Sequence, residues 1–227
     1  MRQFGLILAA TAALSVAAHA APVRERIRGT VASVGDGSMT VHTTSGQDVT
    51  VGLNGSTHYA KVLKGNLDQI DKNTFIGTAA KNVGSELVAL EVVVFPNSMR
   101  GSGEGHYPWD RMRDTTIAGG AQTASTMTNG NVAAVQAGGA GRVDTTMTNG
   151  TVATTNAAGG AKQLTVTYKG GEQHILVPPT TPIVMLQPGA KSDVAPGDGV
   201  FINALKNGST LTAASVAVGV GGVKPPM

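Results

Sequence analysis

Apolar and polar positions alternate with a period of two over most of this chain, in short runs broken by glycine. In the first half, residues 28–34 (RGTVASV) read as a strand and Gly35-Asp36-Gly37-Ser38 as a tight turn. Met39-Thr40-Val41-His42-Thr43 follows, with Met39, Val41 and Thr43 on one face, and after Ser45-Gly46 the alternation resumes through Val49-Thr50-Val51-Gly52-Leu53. Period-two alternation with glycine punctuation predicts three strands joined by hairpins. Asn66 can cap a single helical turn over Leu67-Asp68-Gln69-Ile70. Two more strands, Phe75–Ala79 and Leu87–Phe95, complete the half.

The second half repeats this plan. Gly150-Thr151-Val152-Ala153 matches Gly29-Thr30-Val31-Ala32, and Leu164-Thr165-Val166 matches Met39-Thr40-Val41. Gly171-Glu172 falls where Gly46-Gln47 did, Ser192-Asp193-Val194 where the short helical turn did, and Val200-Phe201-Ile202 where the fourth strand did. Lys206-Asn207-Gly208-Ser209 is the last hairpin, leading into residues 211–218. Five matched features in one order predict an internal duplication. Three strands, a helical turn and two strands is the element order of an OB-like barrel, and closing it removes both exposed sheet edges. The expected fold is all-β, two small five-stranded OB-like barrels. A pair of open β-sandwich halves is the alternative.

A smaller repeat lies between the halves. Residues 126–133 (TMTNGNVA) recur as 146–153 (TMTNGTVA). The later copy is nearer the Leu164 strand and is assigned as the first strand of the second barrel. That leaves the earlier copy spare, an added strand or an insertion rich in Gly, Ala and Thr. The expected organisation is a signal peptide at 1–20, barrel 1 at 21–95, a central segment and linker at 96–145, and barrel 2 at 146–227.

The amino terminus changes the picture by compartment. Arg2, the apolar run Gly5–Val16 and the small residues of Ala18-His19-Ala20 form a secretory signal, with cleavage expected after Ala20. The run is shorter than the roughly 20 residues a membrane span needs, so no transmembrane segment is expected after cleavage. The chain has no cysteine, which excludes disulfides and a lipidated amino-terminal cysteine. A periplasmic or secreted protein follows. Losing Arg2 with the leader takes the formal net charge of +3 down by one. With aromatics at 4% and lysines scattered through turns, the basic stripe and stacking platform of a nucleic-acid binder are missing.

Candidate chemistry gathers in FPNSMRGSGEGHYPWD, residues 95–110, which hold the only tryptophan. Arg100, Glu104, His106, Trp109 and Asp110 are the candidate ligand-binding residues. Glu104, His106 and Asp110 could instead offer oxygen and imidazole ligands to a divalent metal, although no HxH or HExxH spacing accompanies them. His42, His58 and His174 would join only if the fold brought them in. A further reading is packing: charges and Trp109 lying across the two barrels and fixing their angle. Gly101-Ser102-Gly103-Glu104-Gly105 lacks the Gly-Lys-Ser/Thr of a phosphate loop, and Glu104 would face the phosphate. Met99 and Met112 alone make no copper cluster, and no GxSxG or thiol nucleophile is present. Glu104 and Asp110 could be paired as glycosidase carboxylates, but no aromatic-lined cleft accompanies them.

RGTVASV, GDGSMTVHT, SGQDVTV, LDQI and FIGTAA together resemble small OB-like barrel domains of unknown function in secreted bacterial proteins. VVVFPNSMRGSGEGHYPWD, TMTNGTVA and LTVTYKGGEQHILVPPTTPIV are similar to a two-barrel subgroup of that family. The resemblance covers nearly all of the chain after the leader and implies fold and compartment; it carries no established activity. The chain departs from the pattern by its extra linker copy and by Asn73, where a Pro-Gly-Asp turn is usual; Pro196-Gly197-Asp198 keeps that turn. The function expected is an exported, non-enzymatic binding or structural module of the bacterial envelope, without cofactor, whose partner is an envelope protein or small ligand. A periplasmic metal-binding protein is the alternative, and a secreted hydrolase comes third. In OB-type barrels ligands often meet the loops after the first and fourth strands, here 35–38 and 81–86, then 156–162 and 206–209.

Overall fold

The computed structural model describes residues 22–137 and 160–225. The expected leader at 1–20, the later repeat copy at 146–153 and most of the 156–162 loop lie outside them. Among the described residues the regular elements are strands and three single 3-10 turns, Leu67–Gln69, Asn97–Met99 and Lys191–Asp193. The chain is all-β, and no helix among them is long and apolar enough to cross a membrane.

The first half supplies β1 (Val23–Val34), β2 (Ser38–Thr43), β3 (Asp48–Gly52), β4 (His58–Lys64), β5 (Phe75–Val83) and β6 (Glu86–Val94). The middle supplies β7 (Gly105–Pro108), β8 (Met112–Arg113), β9 (Gln122–Thr123) and β10 (Thr126–Ala137). The remainder supplies β11 (Lys162–Tyr168), β12 (Gly171–Val177), β13 (Ile183–Pro188), β14 (Gly199–Asn207) and β15 (Thr210–Gly219). Among the described residues thirteen strands share one large sheet, and β8–β9 form a separate ribbon.

Two circuits of pairing return to their start within that sheet. The first runs β3–β2–β1–β14–β15 and comes back to β3 through the parallel pair Thr212–Gly52. The second runs β12–β11–β10–β5–β6 and comes back to β12 through Ile175–Leu87 and Leu176–Val88. Each circuit combines a three-strand meander with a hairpin from a distant part of the chain. Hydrogen bonding therefore crosses the expected division into 21–95 and 146–227. Between the circuits, β13 pairs with β6 and β4, and β4 pairs with β15.

Side-chain burial follows the circuits. Ile27, Val31, Met39, Val41 and Val51 from one end of the chain meet Val200, Ile202, Val216 and Val218 from the other in one core. Ile76, Leu87 and Val92 meet Val132, Leu164, Val166, Ile175 and Val177 in a second. A seam of Val62, Val93 and Val184 lies between. β6 is apolar almost without interruption and buried on both faces from Leu87 to Val93, as continuous strand runs are.

The circuits match in detail. The ladder shifts between Val31 and Ser33 in β1, and between Val132 and Ala134 in β10. Val31 pairs its backbone with Asp198 O and Gly197 N, as Val132 does with Thr74 O and Asn73 N. Asn73 holds φ at 72° where Gly197 holds 94°; asparagine tolerates this left-handed conformation better than other side chains. Asn66 caps the Leu67–Gln69 turn, its side chain accepting from Asp68 N, as its sequence position suggested.

Two sequence expectations change. The earlier repeat copy is not spare: as β10 it pairs with β5 on one side and with β7 and β11 on the other. Proximity to the Leu164 strand favoured the later copy, but a long hairpin connection costs little extra entropy, so nearness does not decide which copy pairs. β4 and β13 are added strands that pair with each other and with β15 and β6 at the seam.

Gly29 and Gly130 sit where a side chain has no room: a Cβ there would overlap the carbonyl oxygens of His42 and Thr167 respectively. Gly29→Ala and Gly130→Ala should each lower the stability measured by urea unfolding by about 1–3 kcal/mol. Gly37→Ala, with nothing within 4 Å, should stay within about 0.5 kcal/mol.

Candidate functional site

The segment leaving β6 turns at Asn97–Met99 and then lays β7 along the first part of β10, pairing Gly105–Pro108 with Thr126–Asn129. Its residues divide by the neighbour they reach. Arg100 donates to the Asn73 carbonyl at 2.7 Å, to Asn97 Oδ1 at 3.2 Å and to Asn131 Oδ1. It thereby fastens the left-handed Asn73 turn. Glu104 accepts from Lys169 N at 2.9 Å, and His106 Nδ1 shares a 2.8 Å hydrogen bond with Thr128 Oγ1 while its ring stacks on Tyr168. Arg100, Glu104 and His106 therefore serve the second circuit.

Trp109 and Asp110 reach the first. The Arg26 guanidinium lies 3.7 Å above the Trp109 ring centre, and Tyr107 packs against the same indole at 5.9 Å. Asp110 accepts a 2.8 Å hydrogen bond from Arg26 Nη1 through Oδ1, and its Oδ2 forms an ion pair with Arg28 Nη1, also at 2.8 Å. Arg28 in turn lies over Phe201 of β14. One carboxylate thus holds two arginines of β1 in place, and one of them is sandwiched on the only tryptophan. Burial pushes the Tyr107 hydroxyl pKa up, partly offset by the nearby Arg26 charge.

Sequence reasoning named neither arginine, because Arg26 and Arg28 look like ordinary outward positions of an alternating strand. It also missed Lys81 and Asp114. Lys81 Nζ donates to Asp114 Oδ2 at 2.6 Å and to Thr116 Oγ1 at 2.7 Å, and Thr116 donates to Asp114 Oδ1 through its amide and hydroxyl. Their side chains are only 14% and 11% exposed. Burial alone would raise the Asp114 pKa; the bonds from Lys81 and Thr116 outweigh it and hold the carboxyl below its ordinary value.

Glu104, His106 and Asp110 do not gather: their contacts lead to the β11–β12 turn, β10 and β1 respectively. His42 pairs with Asp48 and His174 with Glu172, each near its own hairpin. Among the described residues no group of three His, Cys, Asp or Glu side chains is placed to share a metal. A groove of about 490 Å3 lies at the seam, lined by Lys64, Leu67, Pro179, Pro182, Ile183 and Val223. It contains none of the five sequence-chosen residues. A polar hollow of about 180 Å3 opens between β1 and the β2–β3 turn, with Arg26, Arg28, Thr44 and Gln47 in its walls. Comparison with family models, curated proteins and solved structures returned no match for this chain.

Arg26→Ala should shift the emission of Trp109 to the red and cost about 1–2 kcal/mol of stability, through lost stacking and stem packing. Fluorescence-detected urea unfolding reads both. Asp114→Asn should cost about 3 kcal/mol at pH 7, because it leaves Lys81 buried without its counter-charge. Since the folded pKa is depressed, the ionised carboxylate's contribution is full above about pH 4 and is lost as pH falls through the folded value. The difference between wild type and variant, measured by urea unfolding at pH 7 and pH 3, should therefore shrink in acid.

Proposed function

We propose that this chain is an exported, non-enzymatic binding or structural module of the bacterial cell envelope. On this reading it is built from two OB-like barrels of one duplicated sequence, each completed by the other's final hairpin. The observation that carries it is where the central segment's functional groups go. Arg100, Glu104 and His106 bind the second circuit, while Trp109 and Asp110 bind Arg26 and Arg28 of the first. Polar groups committed to each other in this way hold a scaffold together, whereas catalysis needs reactive groups converging on one substrate position.

The exchange also bears on where a ligand would bind. The Gly35–Ser38 loop and the Lys206–Ser209 turn belong to the first circuit together, and these are the two places OB-type barrels often use. The module would then offer binding surfaces on a frame held rigid by the central segment.

Thermal unfolding of residues 21–227 against a series of divalent metals separates this reading from the metal-binding one. A native-state ligand raises the midpoint by mass action. The expected result is no specific rise with any metal. A rise for one metal that disappears in His106→Ala would contradict the proposal, and would require Asp110 to leave both arginines or a ligand set other than Glu104, His106 and Asp110.

A further inference from the structure

The two circuits differ at one place, and the difference leaves a strand edge open. In the second circuit β10 is longer than its meander partner: Asn131–Ala137 pair with β11, and the preceding Thr126–Asn129 pair on that same side with β7. In the first circuit β1 has the same excess length. Gly29–Val34 pair with β2 and Arg28 O accepts from Thr44 N just past it, while Val23–Ile27 extend beyond and pair only with β14 on their other side. Aligning Gly29 with Gly130 puts Glu25–Arg28 where Thr126–Asn129 stand. The place taken by β7 in one circuit has no strand in the other among the described residues.

Burial records the contrast. Met127, Thr128 and Asn129 are 1%, 0% and 7% exposed under β7. Of the corresponding β1 residues only Ile27 is buried; Arg26 is exposed and Arg28 half-buried. The polar hollow of about 180 Å3 lies along this edge, walled by Glu25–Arg28 on one side and by Thr43–Ser45, Gln47 and Val49 on the other. The second circuit shows how such a turn meets an occupant: Lys169 at the β11–β12 turn donates its backbone N–H to Glu104, just ahead of β7. In the first circuit Thr44, its counterpart, donates instead to Arg28 O. That bond directs the Arg28 carbonyl toward the β2 side. Backbone groups alternate in direction along a strand, so those of Arg24 and Arg26 face the same open side.

We propose that this edge is a strand-addition site that takes an extended acidic segment of another protein, running antiparallel to β1. Main-chain hydrogen bonds to Arg24 and Arg26 supply the pairing, as in other sheet-edge recognition. Charge selects the occupant: Arg24, Arg26, Arg28 and Lys206 lie along the edge against two acids, Glu25, which pairs with Lys206, and Asp110, which Arg26 and Arg28 share, so the edge keeps an excess of two positive charges. The same charges oppose self-association. An antiparallel β1–β1 pair centred on Arg26 sets Arg26 against itself, and one centred on Glu25 sets Glu25 against itself and Arg24 against Arg26; like charges directly opposite are unfavourable. Charged edges are a usual guard against such pairing. The inference deepens the binding-module reading and rests on it.

The test is titration of residues 21–227 with an eight-residue peptide alternating glutamate and valine, followed by amide NMR and sedimentation. A matched peptide alternating lysine and valine is the control. The acidic peptide should shift the amides of residues 23–28 and 44–47, slow hydrogen exchange at Arg24 and Arg26, and leave the protein monomeric. Arg24→Pro, which removes one edge donor, and Arg24→Glu, which reverses its charge, should each weaken binding at least fivefold with the melting midpoint held within a few degrees. Equal binding of the lysine peptide, shifts confined to other strands, unchanged affinity in both variants, or dimerisation through β1 would each overturn the proposal. Failure here with no metal response in the thermal series removes the edge alone; a His106-dependent metal response removes the module reading itself.

Discussion

A sheet of five short strands leaves two rows of unpaired backbone groups, and the rest of this structure depends on how those rows are closed. β3 and β12 are the last strands of their meanders. Each would be an exposed edge if β15 and β6 did not come alongside in parallel. The closing strands arrive as hairpins, β14–β15 and β5–β6, from the opposite part of the chain. Closure and long-range connection are therefore the same event. It explains why both hydrophobic cores draw on residues more than a hundred positions apart, and why β4 and β13 end up side by side at the seam.

The central segment extends the same logic. β7 covers the length of β10 that β11 does not reach, and the next two residues pass to the other circuit. Trp109 lies beneath Arg26, and Asp110 takes both Arg26 and Arg28. These ion-pair side chains are about one-third exposed, so their charges alone would contribute little in water. Stacking on the indole and the sharing of one carboxylate give the contact geometric definition. The segment's most distinctive residues are thus used for joining.

Much of the local structure was legible in the sequence. Alternation located β1, β2, β3, β11, β14 and β15, and Asn66 announced the capped turn. Asn73 stood out as the replacement for a glycine turn, and it does adopt positive φ. Pairing partners were not legible. β5 and β14 both present apolar inward positions suited to lie beside β1, and nothing local chooses between them. The two repeat copies were ambiguous for the same reason, since 126–133 and 146–153 are nearly the same sequence. At the candidate site, one half of each interaction was visible in the sequence. Trp109 and Asp110 were visible as rare residues in a glycine-rich segment. Their partners Arg26 and Arg28, and the buried Lys81–Asp114 pair, needed the fold to bring distant positions together.

The absence of native cysteine allows the central claim, that hairpins close the circuits across the two halves, to be tested by oxidative cross-linking. Val23 and Lys206 are direct partners in the β1–β14 ladder. Were each half to close on itself, the β10–β5 register carried over to β1 would put Val23 opposite Asn82 instead. Disulfides form readily only when Cα atoms lie within about 7 Å. In the folded monomer, Val23→Cys with Lys206→Cys should cross-link under mild oxidation, and Val23→Cys with Asn82→Cys should not. The reverse pattern would contradict the interlaced fold and the account built on it.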